Sequence, residues 1–373
     1  MLRRRRRLLI ALAVAVVVAA LWVVVSLRKQ APPESVRLLP EAEAVVHVNF
    51  RLLRLLGAME GFSDAVPEEE YKEFVRETGI RFEHDLDEMA IAVHAPAASG
   101  ARPGAAPASG ETGGGAKSGI AGGAGAATSS PAASGGAPGP GAASETRFSH
   151  VFIGRFDSGK LAAFLKKVAV ASETYRELEI LAIPVEGRTV RAAILGVDTV
   201  AVSNAESAQP IHDIIDHYKA KAAPYGGPEL VREHYGRVPR GSLVWAMARW
   251  TQGSQPVALG GPLELTLPTG VTWVGSLRVL LGDVQLRVEA LAGSDAEARQ
   301  VSDQLTNLLT LYRNLWGAQV ADPDLQALIQ SVEVRQEQQR AVVTASLSRA
   351  LLKKALGEPA APPAAPEQKP AGK

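Results

Sequence analysis

The 373-residue chain contains no cysteine. That absence excludes a disulfide framework, a thiolate zinc site, a thiol nucleophile and a lipidated-cysteine anchor, while saying nothing of the redox compartment. No acid precedes Glu34, whereas Arg3, Arg4, Arg5, Arg6, Arg7, Arg28 and Lys29 all do. The rest of the chain therefore holds 33 of the 40 basic residues against all 39 acids, a net of −6. A mildly acidic body offers no electrostatic footprint for nucleic acid, and that partner class is set aside. Catalytic signatures are missing too: no GxSxG elbow, no HExxH, no phosphate loop and no dinucleotide-binding glycine pattern after a strand. The tetrapeptide DSGK, Asp157 to Lys160, lacks the preceding loop that would let it hold a phosphate.

What the chain does have, before anything else, is an uncharged run of twenty residues from Leu8 to Leu27. As a helix rising about 1.5 Å per residue it spans about 30 Å, the thickness of bilayer hydrocarbon. A soluble helix of that length would show a polar stripe; here Ser26 is the only polar residue apart from the indole of Trp22. Leu8, Trp22 and Leu27 are accordingly read as membrane-anchor residues, with Trp22 near the outer interface. Five arginines before the span, Arg3 to Arg7, outweigh Arg28 and Lys29 after it. The positive-inside rule then keeps the N-terminus in the cytoplasm and sends the main domain across. A cleavable signal peptide is the competing reading, but its apolar core is shorter and ends at a small-x-small site, unlike "VVVSLRKQA".

The expected organisation is a basic flank (1–7), a transmembrane helix (8–27), a spacer (28–42), a first α+β unit (43–250), a loop (251–270), a second α+β unit (271–356) and a disordered Pro/Ala tail (357–373). In the first unit "VVHVNF" reads as a strand, "RLLRLLGAM" as a short helix, and Glu68 to Thr78 as a helix stopped by Gly79. Residues 95–147 are Ala/Gly/Pro/Ser-rich and cannot bury enough apolar surface to offset chain entropy, so they are expected to be disordered. The flanking "MAIAVH" and "FSHVFIGRF" both read as strands of one hairpin whose loop has swollen. Lengthening a loop tenfold costs only about 2 kcal/mol, so the hairpin tolerates it. Beyond it come a helix over Ser158 to Val170, two or three strands within 175–204, a helix from about Glu206 to Lys219, a short helix near Glu229 to Tyr235, and the strand "SLVWAMARW". The second unit begins with a hairpin turning at Gly282-Asp283. A helix from Asp295 to about Trp316 follows, with Val301, Leu305, Leu308, Tyr312 and Leu315 on one face, and then a second hairpin and a last helix. Both halves run hairpin, helix, hairpin, helix, which suggests two ββαββα-like units whose mainly antiparallel sheets are covered by helices on one face.

The segments "RLLPEAEAVVHVNFRLLRLL", "GIRFEHDLDEMAIAVH" and "GVDTVAVSN" resemble an uncharacterised bacterial family of membrane-anchored extracytoplasmic proteins. The resemblance covers roughly residues 36–250 and rests on structural motifs. It implies a bacterial inner-membrane, single-pass protein with a periplasmic domain, and it brings no activity, cofactor or site residue with it.

Several clusters invite a metal or catalytic reading. The stretch "FEHDLDEMAIAVH", Phe82 to His94, holds two histidines and four carboxylates. If Met89 to His94 is extended, its ends lie about 17 Å apart at 3.3 Å per step, too far for His94 to share an ion with His84, Asp85 and Asp87. The cluster is read as a polar turn. His47, His94 and His150 lie on strands that could be neighbours, but three independent half-buried or surface histidines are the default reading. On "IHDIIDHYK" the pairs His212 with Asp216 and Asp213 with His217 sit four apart, and a charged outer face over Ile211, Ile214, Ile215 and Tyr218 accounts for the same letters. The Met and Trp of "EMAIAVH" and "LVWAMARW" read as core. No catalytic residue, metal ligand or cofactor is therefore assigned. The expectation is an anchored extracytoplasmic binding or scaffold protein without catalysis, whose partners are the bilayer through its N-terminal helix and another envelope protein. The alternatives are a metal- or carboxylate-dependent hydrolase and a carrier of a lipid or other hydrophobic ligand.

Overall fold

Stretches in which β-branched, aromatic and alanine residues alternate with polar ones supply the strands. They are β1 (Ala44–Asn49), β2 (Leu86–His94), β3 (Arg147–Gly154), β4 (Ala171–Tyr175), β5 (Leu178–Val185), β6 (Arg188–Ile194), β7 (Thr199–Ser203), β8 (Ser242–Arg249), β9 (Val257–Ala258), β10 (Glu264–Leu265), β11 (Thr272–Leu280), β12 (Asp283–Leu291), β13 (Glu333–Glu337) and β14 (Arg340–Leu347). The computed structural model describes residues 31–57, 59, 69–94, 147–185, 187–220, 226–249, 257–258, 264–265, 270–280, 283–316, 322–348 and 351. The chain divides into two units, residues 1–95 with 147–373 and residues 96–146. The second unit, with the expected disordered insert, lies outside the described residues, as do the expected span with Leu8, Trp22 and Leu27, the arginines Arg3 to Arg7, and the Pro/Ala tail. No helix among the described residues is long and apolar enough to cross a membrane.

The fold is α+β. Among the described residues twelve strands form one antiparallel sheet in the order β13-β14-β12-β11-β8-β1-β2-β3-β7-β6-β5-β4, and β9 and β10 pair separately. Two sheets were the expectation; the joint between the halves is the pairing of β1 with β8, His47 standing opposite Trp245. Strand β8, expected to end the first unit, is flanked by β1 and β11. Each arm then has the same path: a three-stranded meander (β1-β2-β3 or β8-β11-β12), a helical crossing, and a return whose last strand lies beside the third (β7 on β3, β14 on β12). The hairpin interrupted by residues 95–146 is present, with Leu86 opposite Gly154 and His94 opposite Arg147. Its register slips between Leu86 and Glu88, and there the chains approach so closely that a Cβ on Gly154 would stand 2.3 Å from the Asp85 carbonyl oxygen. Both outer strands carry polar, exposed residues such as Glu173 and Glu333, which discourages pairing with another sheet.

Helices cover both faces, not one. Val151 and Phe152 are successive residues of β3 and so point to opposite sides, and they belong to different cores. On the Val151 side, the helices Glu34–Arg37, Gln209–Lys219 and Glu229–His234 bury Val36, Ile211, Ile214, Ile215 and Val231 on Val45, Ala90, Ala201 and Met247. On the Phe152 side, the helices Glu69–Thr78 and Ser158–Val168 pack Phe74, Leu161 and Leu165 over Val200 and Val202. Helix Phe50–Leu55 sets Leu53 against Leu243 and Val284, and helix Asp295–Trp316 sets Val301 and Leu305 against Ala290 and Ala341. Small residues on the first face explain the arrangement, since Ala90, Ala92 and Ala201 let helices sit close to the sheet. The heptad-like face expected on the long helix buries only its first half, because Leu315 is 48% exposed.

Helix boundaries follow local chemistry. Asn49 accepts a hydrogen bond from the Leu52 amide at 3.0 Å and starts the helix Phe50–Leu55. Asp157, in the DSGK stretch, does the same for the Lys160 amide, which gives that motif a capping role. Strand β4 and the helix Pro323–Ser331 were not expected from the sequence. The β4–β5 turn places Arg176 (φ 45°) and Glu177 (φ 66°) in the left-handed region with no glycine to announce it.

Candidate functional site

Strand alternation puts Val45, His47 and Asn49 on one side of β1, so two polar side chains lie on the buried face. His47 is 2% exposed and stacks on Trp245 across the β1–β8 pair, ring centroids 5.4 Å apart. Trp245, itself 2% exposed, meets Tyr235 on its other flank at 5.6 Å. Tyr235 begins a 3-10 turn, Tyr235–Arg237, that follows the helix Glu229–His234, and the loop to β8 closes at Gly241, whose φ of +75° suits glycine. These elements enclose a cleft of about 610 Å³ lined by His47, Asn49, Tyr235, Arg240 and Trp245 among others.

Neither ring nitrogen of His47 has a hydrogen-bond partner. Its nearest charge is Glu88, Oε2 to Nε2 at 3.7 Å. Leaving a buried polar group unpaired costs about 1–3 kcal/mol, so such a group marks a place where something else completes the contact. Glu88 accepts a hydrogen bond from the Ser35 hydroxyl at 3.2 Å. Burial pushes the Glu88 carboxyl up, but the His47 imidazole, the Ser35 hydroxyl and the charge of Arg51 together hold it below the usual carboxylate range. Burial, with Glu88 adding to it, raises the Tyr235 phenol. The carboxylate stands between the hydroxyl and the imidazole, so His47 cannot activate Ser35, which is fully buried. The cluster holds a geometry and has no nucleophile.

A second histidine–serine contact looks more like chemistry. Ser149 Oγ lies 2.8 Å from His94 Nε2 and 2.9 Å from Ser203 Oγ, while His94 Nδ1 faces the Glu41 carbonyl oxygen at 3.2 Å. The carbonyl orients the ring as a triad's third member would. Ser149 and Ser203 are 0% and 1% exposed, however, so no substrate carbonyl reaches either hydroxyl. Burial also lowers the His94 imidazole below its ordinary value, against the smaller opposing effects of the Glu41 carbonyl and Asp213.

The three strand histidines do not converge. His47 stands opposite Ala90, so His94 lies four residues further along the same face of β2, about 13 Å away. His150 stands opposite Ile91 and points to the other side, between Phe148 and Phe152 at 4.5 and 5.6 Å. Burial there drops its imidazole to about 4. The acidic stretch before β2 disperses as well. Glu83 accepts from the Tyr71 hydroxyl at 2.9 Å, Asp85 accepts from the Arg81 amide at 2.8 Å, and Asp87 is forked between Arg51 at 2.7 Å and Arg54 at 2.5 Å. On the helix Gln209–Lys219, His212 reaches Glu173 and stacks on Tyr175, Asp216 takes Arg176, and His217 meets the Leu38 carbonyl, so neither spaced pair faces itself. Among the described residues no group of three or more His, Asp or Glu stands together to hold a metal ion.

The cleft itself was not read from the sequence. The signal was there, since "VVHVNF" sets a histidine and an asparagine in phase with a core valine, but it identifies no wall until β8 is known to be the neighbour. A smaller cavity of about 150 Å³ lies on the opposite face among Phe74, Phe82, Phe152, Phe156 and Leu165.

No family model matches the chain, and no curated protein matches it. Among solved structures, crystal forms IV, III and I of TP0453 are similar to it. Form IV aligns at 10% identity and a TM-score of 0.42 over 88% of this chain and 97% of that one. Form III aligns at 8% and 0.43 over 87% and 98%. Form I aligns at 9% and 0.41 over 88% and 98%.

Proposed function

We propose that this chain is an anchored extracytoplasmic binding protein that performs no catalysis, and that its ligand enters the cleft beside His47 and Trp245. The observation that carries the reading is an imidazole only 2% exposed, with no hydrogen-bond partner for Nδ1 and only Glu88 at 3.7 Å for Nε2, at the edge of a cavity of about 610 Å³. That volume is of the size small-molecule sites have. The sealed Ser149 supports the absence of acyl-transfer chemistry. The uncharged run from Leu8 to Leu27, with Arg3 to Arg7 before it, supports the membrane anchor and the outward orientation, and through them an inner-membrane, periplasm-facing protein of the family it resembles. A second envelope protein is a partner consistent with that location.

Non-denaturing mass spectrometry of the full-length protein, extracted from membranes, tests the reading. A small molecule retained by the native chain and absent from His47→Phe supports it. Turnover of a hydrolase substrate panel that His47→Phe abolishes overturns the non-catalytic part. A phosphatase reporter fused at the C-terminus is expected to be active outside the cytoplasm, and activity of a cytoplasm-only reporter overturns the topology.

The apolar cavity among Phe74, Phe82 and Phe152 favours a second reading, a hydrophobic-ligand carrier. Its volume of about 150 Å³ accommodates a short hydrocarbon segment, and lipid released on denaturing extraction is the expected sign.

A further inference from the structure

The chemistry of the larger cleft narrows what it takes. Asn49 spends its side-chain oxygen on the Leu52 amide, which leaves its NH₂ group as a donor. The Tyr235 hydroxyl and the guanidinium of Arg240, an exposed residue, make no hydrogen bond or ion pair among the described residues. Arg232 lies at the rim with a long contact, 3.4 Å, to Glu41. Two arginines and no acid line the cleft among the described residues, and Glu88 stands behind His47, outside the lining. Every free side-chain group on the wall can therefore donate, and a cation would meet charge of its own sign. Half-buried Tyr235 supplies flat apolar surface next to these donors with Val238 beside it, and buried Trp245 backs it at 5.6 Å.

We infer that this cleft binds a small organic anion with a planar ring, its ring against Tyr235 and its carboxylate or phosphate held by Arg240 with Asn49. The inference rests on the reading of the cleft as the ligand site and adds the ligand's charge and shape. Charge selection comes from the arginines, and ring selection from the face of Tyr235.

The test uses full-length protein in nanodiscs of zwitterionic lipid, with empty nanodiscs as reference, titrated by calorimetry with 2-naphthoate, 2-naphthamide and 2-naphthylmethylammonium. Saturable one-site binding is expected for 2-naphthoate, at least tenfold tighter than for the amide, and none for the ammonium. Arg240→Glu, a change at an exposed side chain that leaves the melting temperature in place, is expected to weaken 2-naphthoate at least tenfold. Equal binding of all three probes, each weakened by His47→Phe, overturns the anion inference and leaves the cleft as a ligand site. Binding of 2-naphthoate that neither Arg240→Glu nor His47→Phe alters places it elsewhere and overturns the inference, as does no binding at millimolar concentration.

Discussion

His47 and His150 lie on strands separated only by β2, both largely withdrawn from water, and they do opposite things. His150 is clamped between Phe148 and Phe152 with no charge to answer it, and burial alone drives it to about 4, so it stays neutral. His47 has a carboxylate 3.7 Å away, an aromatic wall and an open cavity, yet no hydrogen-bond partner. Burial by itself silences a histidine; burial beside a charge and a cleft leaves it with an unmet contact. The same division runs through consecutive residues of β2, where Asp87 is spent on two arginines and Glu88 stands beside His47.

The sharpest way to break the contrast is at its aromatic wall. Trp245→Ala removes a 2%-exposed indole from the first core and is expected to cost about 3–5 kcal/mol, read as a shift of the urea midpoint. A cost near 1 kcal/mol would show that the cleft collapses without it. Asp87→Ala comes next, at about 3 kcal/mol, because it strands Arg54, whose side chain is only 21% exposed. The Arg51 hydrogen bond, followed by the pull of Arg54 against burial, holds the Asp87 carboxyl below its ordinary value. Its contribution is thus present above pH 4 and lost as pH falls through the lowered folded value, and Asp87→Asn is expected to flatten that acid limb.

His150→Phe probes the silent side. The unfolded imidazole titrates near 6.5 and the folded one at about 4, so the unfolded state takes up the proton first and stability falls as pH drops from 6.5, with the loss complete below about 4. Between pH 7 and 4.5 the variant is expected to lose at most about 3 kcal/mol less than the native protein, measured by chemical denaturation at each pH. An identical pH profile would show that His150 is hydrated. Glu88→Gln has the smallest effect, about 1 kcal/mol at neutral pH, as the Ser35 hydroxyl keeps an acceptor but loses a charged one. If Glu88→Gln proved as costly as Asp87→Ala, the carboxylate beside His47 would be a structural pin like its neighbour.

Much of the local structure was legible before any pairing was known. The helix Asp295–Trp316, the inward isoleucines of the helix Gln209–Lys219 and the hairpin split by a long insert all follow from spacing and composition. The polar turn expected at His84 to Glu88 is instead the end of a short helix, Phe82–Asp85, and the start of β2, with Asp87 buried against two arginines that lie over thirty residues away in the chain. Strand β4 escaped because its turn uses Arg176 and Glu177 in a conformation usually reserved for glycine or asparagine. Its side chains are also too polar to read as half buried. Leu315 escaped for the opposite reason, as its spacing matched a core face yet its side chain is exposed, while Arg313 of the same turn holds the carbonyls of Ile329, Gln330 and Val332.

Composition and periodicity alone settled most of the strands and helices, where acids and cysteines are missing, and that an apolar run precedes a mixed body. These are properties of neighbours a few residues apart, and they act through backbone preference and side-chain phase. Whether there is one sheet or two, which helices cover which face, and that His47 meets Trp245 were decided by pairing between residues far apart in the chain. Such pairing is fixed by the burial it achieves across the whole sheet, a quantity no single segment carries.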